Sequence, residues 1–181
     1  MEFLEILKYT VPALVVLACS YLTIKQFFKR DENMARAEIV AGNNKVIIPA
    51  RMAAYERLVL FLERIDPQSI IIRTVQPGDT AIELQRALLV TIRAEYEHNY
   101  SQQLYVSNNA WKAVKDTKDV MIQLINQTAQ SVPVDAKASD LGKKIIDNYA
   151  SLKESPIELA VNVLKTELAS IYYYLIKIKH H

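Results

Sequence analysis

The sequence predicts an all-α chain, with one N-terminal transmembrane helix followed by a four- to five-helix antiparallel bundle. Three observations carry this. Residues 9–24 contain no charge and are bracketed by Lys8 and Lys25. The 181 residues include only 3 glycines and 6 prolines, too few for the tight turns of an all-β sandwich. Beyond residue 48, apolar side chains recur at helical spacing in successive stretches that open on capping residues.

The uncharged run covers roughly 24 Å as a helix, short of the ~30 Å hydrocarbon core. Phe3, Leu4, Ile6 and Leu7 before it and Phe27 and Phe28 after it make up the difference. Lys8 and Lys25 then fall near the two interfaces, where their stems can snorkel to water. Phe3, Tyr9, Tyr21, Phe27 and Phe28 sit where an aromatic belt is expected, and Pro12 is tolerable in the first turn inside a membrane. Lys25, Lys29, Arg30 and Arg36 follow the span whereas only Lys8 precedes it, so the positive-inside rule puts the C-terminal bulk in the cytoplasm. The localisation expected is the cell inner membrane, single-pass, N-terminus out.

Three other readings compete. A buried core helix would normally carry a polar stripe, which this run lacks. A cleaved signal peptide wants a positive leading region, and here that region holds Glu2 and Glu5. Val16-Leu17-Ala18-Cys19 looks like a bacterial lipobox, which would make the protein lipid-anchored through Cys19 and facing the periplasm. A lipobox cysteine is normally followed by a polar tether, whereas Tyr21, Leu22, Ile24, Phe27 and Phe28 continue the apolar run.

The expected division is an anchor over 1–30, a stalk or linker over 31–48 and a helical bundle over 49–181. The anchor helix is expected to continue to about Val40 and to stop at Gly42-Asn43-Asn44. Pro49 suits the first turn of the next helix, which places Met52, Tyr55, Leu58, Val59, Leu62 and Ile65 on one face, widened by Leu60 and Phe61. Pro67 ends it. Residues 69–78, with Ile70, Ile71 and Ile72, read as a packed connector rather than a strand, because no partner strand is visible. Thr80-x-x-Glu83 is a capping box that opens a helix bearing Leu84, Leu88, Leu89, Ile92 and Tyr96, to about Leu104. If these two helices form a hairpin turning near Thr74, Glu63 meets Arg86 and Glu56 meets Arg93.

Ser107 or Asn108 caps a further helix carrying Trp111, Val114, Met121, Leu124 and Ile125 to about Gln130. Another runs from about Asp135 or Ser139 to Leu152, with Leu141, Ile145, Ile146, Tyr149 and Leu152 inward and Gly142 weakening its start. Ser155-Pro156-Ile157-Glu158 opens the last helix with a cap, a proline at the first helical position and a capping-box glutamate. Its Ile157, Val161, Leu164, Leu168, Ile171, Leu175 and Ile178 alternate steps of four and three, an a/d seam of about three heptads. An intramolecular seam is the main reading, since Leu159, Val163 and Tyr173 add apolar surface opposite. A homo-oligomer through this C-terminal helix is the alternative.

A net charge of +2 without a long basic run argues against nucleic-acid binding. Cys19 is the single cysteine, so no intrachain disulfide forms. In Glu95-Tyr96-Glu97-His98 the Glu-x-x-His step resembles half of a di-iron carboxylate site. The other histidines are the terminal His180 and His181, so that set cannot be completed. No nucleophile elbow, P-loop, Rossmann glycine pattern or zinc spacing occurs, and no catalytic, cofactor-binding or metal-binding residue is assigned. Asn99-Tyr-Ser101 and Asn126-Gln-Thr128 match a glycosylation sequon that is common by chance. The run His98-Asn99-Tyr100-Ser101-Gln102-Gln103-Leu104-Tyr105 is either a partner-facing surface or a helix end packing its tyrosines on the bundle. The expectation is a non-enzymatic structural or adaptor component of the membrane, with the bilayer and other proteins as partners. Its alternatives are the lipid-anchored form through Cys19 and an enzyme using Glu95 and His98.

The stretches Arg51-Met-Ala-Ala-Tyr-Glu-Arg-Leu-Val-Leu-Phe-Leu-Glu-Arg-Ile65 and Glu95-Tyr-Glu-His-Asn-Tyr-Ser-Gln-Gln-Leu-Tyr-Val106, with Trp111, resemble an uncharacterised bacterial family. Its members are short proteins with one N-terminal span followed by helices. The resemblance implies no activity, substrate or catalytic residue.

Overall fold

The computed structural model describes the backbone of residues 2–133 and 135–179, and the side chains of 14–32, 34, 42, 45–133 and 135–173. The described residues form six α-helices and one 3-10 turn, without a strand: α1 (Glu2–Arg64), α2 (Pro67–Thr74), α3 (Ala81–His98), a 3-10 turn (Tyr100–Leu104), α4 (Asn108–Gln130), α5 (Ala138–Ala150) and α6 (Pro156–Lys179). The chain divides into two compact units, Met1–Ile48 and Pro49–His181.

The first unit is the leading part of α1. Two punctuation marks expected there do not act. Gly42-Asn43-Asn44 does not stop the helix, and Pro49 lies inside the helical run rather than opening a new one. A glycine in a helix interior costs about 1 kcal/mol and does not by itself end the helix. Pro49 removes one backbone donor and its ring crowds the preceding turn, and the boundary between the units falls at that residue. Among the described residues no helix is long and apolar enough to cross a membrane. The uncharged run starts at Tyr9, and the side chains of residues 9–13, with those of Phe3, Leu4, Ile6, Leu7, Lys8 and Arg36, lie outside the described residues.

The second unit is an antiparallel helical bundle, and its cross-helix contacts set the directions. Gln85 donates to Asn126 at 2.9 Å at one end of α3 and α4, while Tyr96 stacks on Trp111 at the other. Asn148 Nδ2 donates to Thr128 Oγ1 at 2.9 Å, and Lys144 Nζ to the Ser131 carbonyl at 2.8 Å, which runs α5 back along α4. Asn109 Nδ2 donates to Glu167 and Thr117 Oγ1 to the Pro156 carbonyl, so α6 is antiparallel to α4 as well. Tyr55, Leu58, Phe61 and Leu62 of α1 and Ile65 just after it join Leu84, Leu88 and Ile92 of α3, Met121 and Ile125 of α4, Leu141 and Ile145 of α5 and Leu164 of α6 in one buried core. These are the positions that helical spacing selects. Burying each such side chain contributes about 1.5–3 kcal/mol.

The connector over 69–78 is mostly helix. Asp66 accepts from the Gln68 and Ser69 amides, Pro67 takes the first helical position, and α2 buries Ile70 and Ile71 while Ile72 faces out. The Asp79 amide then donates to the Gln76 carbonyl at 3.2 Å, with Gly78 at φ 94°. Pro77 then Gly78 is the pairing a type II turn needs, since only its third position has positive φ. Thr80 and Glu83 form the expected capping box. α3 stops at His98 instead of Leu104, because Asn99 turns its side chain back onto the Glu95 carbonyl at 2.8 Å and the chain tightens into a 3-10 turn. The loops before α3 and α5 meet at a single bridge, Thr80 to Lys137, with the Ala81 amide on the Ala136 carbonyl and the Ala138 amide on that of Asp79. Gly142 lets α5 approach closely, since a Cβ there would lie 3.2 Å from Ile71 Cγ2.

Candidate functional site

The pairs Glu63–Arg86 and Glu56–Arg93 are not formed among the described residues, and all four side chains are exposed. The interposed α2 prevents a simple hairpin of α1 and α3. Glu95 is the carboxylate used instead. Arg64 Nη1 donates to both its oxygens at 3.2 Å, and Arg73 of α2 lies 3.8 Å away, so one side chain of α3 ties down both preceding helices. Arg73 also donates to the Arg64 carbonyl.

Glu95 and His98 do share one shallow cleft of about 190 Å³, together with Arg57, Leu60, Phe61, Arg64 and Asn99. Its chemistry is cationic on one wall, and Glu95, partly buried, is already engaged by arginines. Among the described residues no group of three or more His, Cys, Asp or Glu could hold a metal ion.

The run from His98 to Tyr105 splits. Asn99 is buried, and Tyr100 stands edge-on to Tyr96 at 5.8 Å and to Trp111 at 5.8 Å. Tyr96 is the centre of that cluster, 5.4 Å from Trp111 and 6.0 Å from Phe61, with Lys118 Nζ 4.6 Å over its ring. Burial pushes the Tyr96 hydroxyl above its ordinary value of 10.0, and the neighbouring Tyr100 and Asp119 add to that. Leu104 and Tyr105 stay exposed, and the Tyr105 carbonyl accepts from Arg51 Nε at 3.0 Å. Within the run, Asn99 is therefore packed and Tyr100 lays one edge on the cluster while 53% exposed, whereas Leu104 and Tyr105 face outward.

One carboxylate that sequence reasoning missed organises the α1–α4–α6 junction. Glu167 Oε2 accepts from Ser107 Oγ at 2.6 Å and from the Tyr55 hydroxyl at 3.0 Å, and Oε1 accepts from Asn109 Nδ2 at 3.0 Å. Burial pushes this carboxyl up, but the donors Ser107, Asn109 and Tyr55 and the Arg51 charge outweigh it and hold it below its ordinary 4.5. Burial in turn raises the Tyr55 hydroxyl above 10.0, helped by its bond to Glu167. Ser107 does double duty, since its Oγ also accepts from the Ala110 amide at the start of α4. This arrangement fastens three helices.

In the first unit the notable feature is apolar exposure. Leu14, Val15, Val16, Leu17, Tyr21, Leu22, Ile24, Phe27 and Phe28 are each between 55% and 68% exposed. Cys19 is exposed within the same helical stretch, and its carbonyl accepts from Thr23 Oγ1 at 2.8 Å.

No curated protein and no solved structure matches the chain. A family model does, over residues 1–171, and it takes in the exposed apolar helix together with nearly all of the bundle. The chain therefore belongs to the family of unknown function DUF7935.

Proposed function

We propose that this protein is a single-span, membrane-anchored helical protein, with residues 1–30 as the anchor, 31–48 as a stalk and the bundle of 49–181 on the cytoplasmic side. It serves there as a non-enzymatic structural or adaptor component. The observation that carries the reading is the exposed run from Leu14 to Phe28. Nine large apolar side chains stand more than half open to the surroundings, and Lys25 is the only charged residue among positions 14–28. A soluble monomer rarely leaves so contiguous an apolar surface in water, and a bilayer would cover it. Adding residues 9–13 lengthens that uncharged helix to sixteen residues by sequence. The basic side chains Lys25, Lys29 and Arg30 support the cytoplasmic placement.

The helix continues without interruption past Cys19, with Tyr21, Leu22 and Ile24 still apolar. That favours a retained span over a lipobox, whose cysteine would be followed by a polar tether. The adaptor role rests on the engaged state of the polar groups in the bundle, where Glu95 and Glu167 are taken up by helix-fastening bonds.

Alkaline carbonate extraction tests the anchor. The full-length protein is expected in the membrane pellet, and a variant lacking residues 1–30 in the supernatant. Full-length protein released by carbonate would overturn the reading.

A further inference from the structure

Two cavities of the second unit lie side by side along one face. The first, about 390 Å³, is walled by Tyr55, Val59 and Leu60 of α1 and by Leu164 and Leu168 of α6. The second, about 510 Å³, shares Leu168 with it and adds Met52, Tyr172 and Tyr173. Leu60 is 58% exposed, Tyr172 60% and Tyr173 73%, so the groove is open and apolar along its length. The charged side chains lining it are Glu56 on the α1 wall and Lys165 on the α6 wall. Both are exposed, and among the described residues neither has a hydrogen bond or ion pair within the chain.

We propose that a second copy of this chain covers the groove, α1 of each copy packing on α6 of the other about a two-fold axis parallel to the two helices. An isologous contact needs a patch complementary to itself. Rotation about such an axis leaves every residue at its own height. Tyr55 donates to Glu167 across the two walls, which sets that height, and Glu56 and Lys165 line one cavity beside that bond. The rotation therefore carries Glu56 of each copy to Lys165 of the other, and the two unpaired charges become two pairs at the rim of an apolar, tyrosine-bearing seam. An apolar helix of foreign origin would desolvate both charges without pairing either. The pairing does not rest on the membrane reading. Tethering in one bilayer would add to it by raising the effective concentration of copies.

The test is the mass of the full-length protein in mild detergent, by light scattering or sedimentation velocity, across a concentration series. Wild type is expected to be dimeric. Glu56→Lys and Lys165→Glu should each weaken the dimer by about tenfold or more, as like charges then face each other twice, and the double reversal should restore it. Among the described residues neither side chain has an intrachain partner, so the helical circular dichroism spectrum of each single variant should match wild type. A wild-type protein monomeric at tens of micromolar would overturn the proposal. So would a dimer indifferent to the single reversals, or one that the double reversal fails to restore. Carbonate extraction reads the anchor separately, so either result can fail while the other stands.

Discussion

A single carboxylate shows how much one side chain can determine here. Glu167 is held below 4.5 by three donors that come from positions 112, 60 and 58 residues away along the chain. Because its folded pKa is depressed, the folded form binds a proton less readily than the unfolded chain. Its contribution is complete above the unfolded value near 4.5 and is lost as pH falls through the folded value. Glu167→Gln should lower unfolding stability at neutral pH by about 1.5–3 kcal/mol, the range for hydrogen bonds to a charged group. It should also flatten this part of the acid limb in a series of urea melts, and an unchanged pH profile would assign the shift elsewhere. No periodicity could have revealed the residue, since its partners meet it only through the tertiary fold. Gly78 is the opposite case. Pro77-Gly78 already marks a turn in the sequence, and the φ of 94° follows from it. Gly78→Ala should cost about 1–2 kcal/mol in the same melts, since a Cβ is strained in that region.

At the scale of the element, the caps of α3, α4 and α6 were legible and α4 ends at Gln130 as expected, whereas the start of α5 and the stops at Gly42-Asn43-Asn44 and Leu104 were misread. Thr80-x-x-Glu83 opens α3, with the Thr80 amide on Glu83 at 2.9 Å and the Glu83 amide on Thr80 Oγ1 at 3.4 Å. Ser155 opens α6, accepting from the Glu158 amide at 3.2 Å. Such local bonds involve residues three apart, so sequence carries them entirely. Thr80→Ala should destabilise the protein by about 0.5–2 kcal/mol, measurable by denaturant titration. The helix α2 was hidden because three successive isoleucines have low helix propensity and Asp66 reads equally as the end of α1. Gly42 misled for the converse reason, because the residues around it tolerate a helix that a glycine weakens without breaking. Gly142 has a packing role that its propensity conceals. Gly142→Leu should destabilise by about 1–3 kcal/mol, as the extra atoms press on Ile71 and Leu84.

For the molecule as a whole, the all-α class and the membership of the core followed from apolar spacing. Leu58, Leu62, Leu84, Leu88, Ile92, Met121, Ile125, Leu141, Ile145 and Leu164 are buried where the pattern placed them. The register between α1 and α3 did not follow, because charge spacing on exposed faces carries little energy and the observed pairing, Arg64 and Arg73 on the partly buried Glu95, depends on the intervening α2. The candidate site was legible only as composition: an uncharged run followed by positive charge at one end, and a bundle without a chemical motif at the other. Everything proposed for function depends on the first of these being dissolved in lipid. Cys19 offers the most direct measurement, as the one thiol of the chain and an exposed side chain of that helix. In intact vesicles it should resist a membrane-impermeant maleimide and react fully once detergent removes the bilayer. Rapid labelling before detergent would contradict a membrane span, and a thiol still blocked in denaturing detergent would replace the span with an acyl anchor.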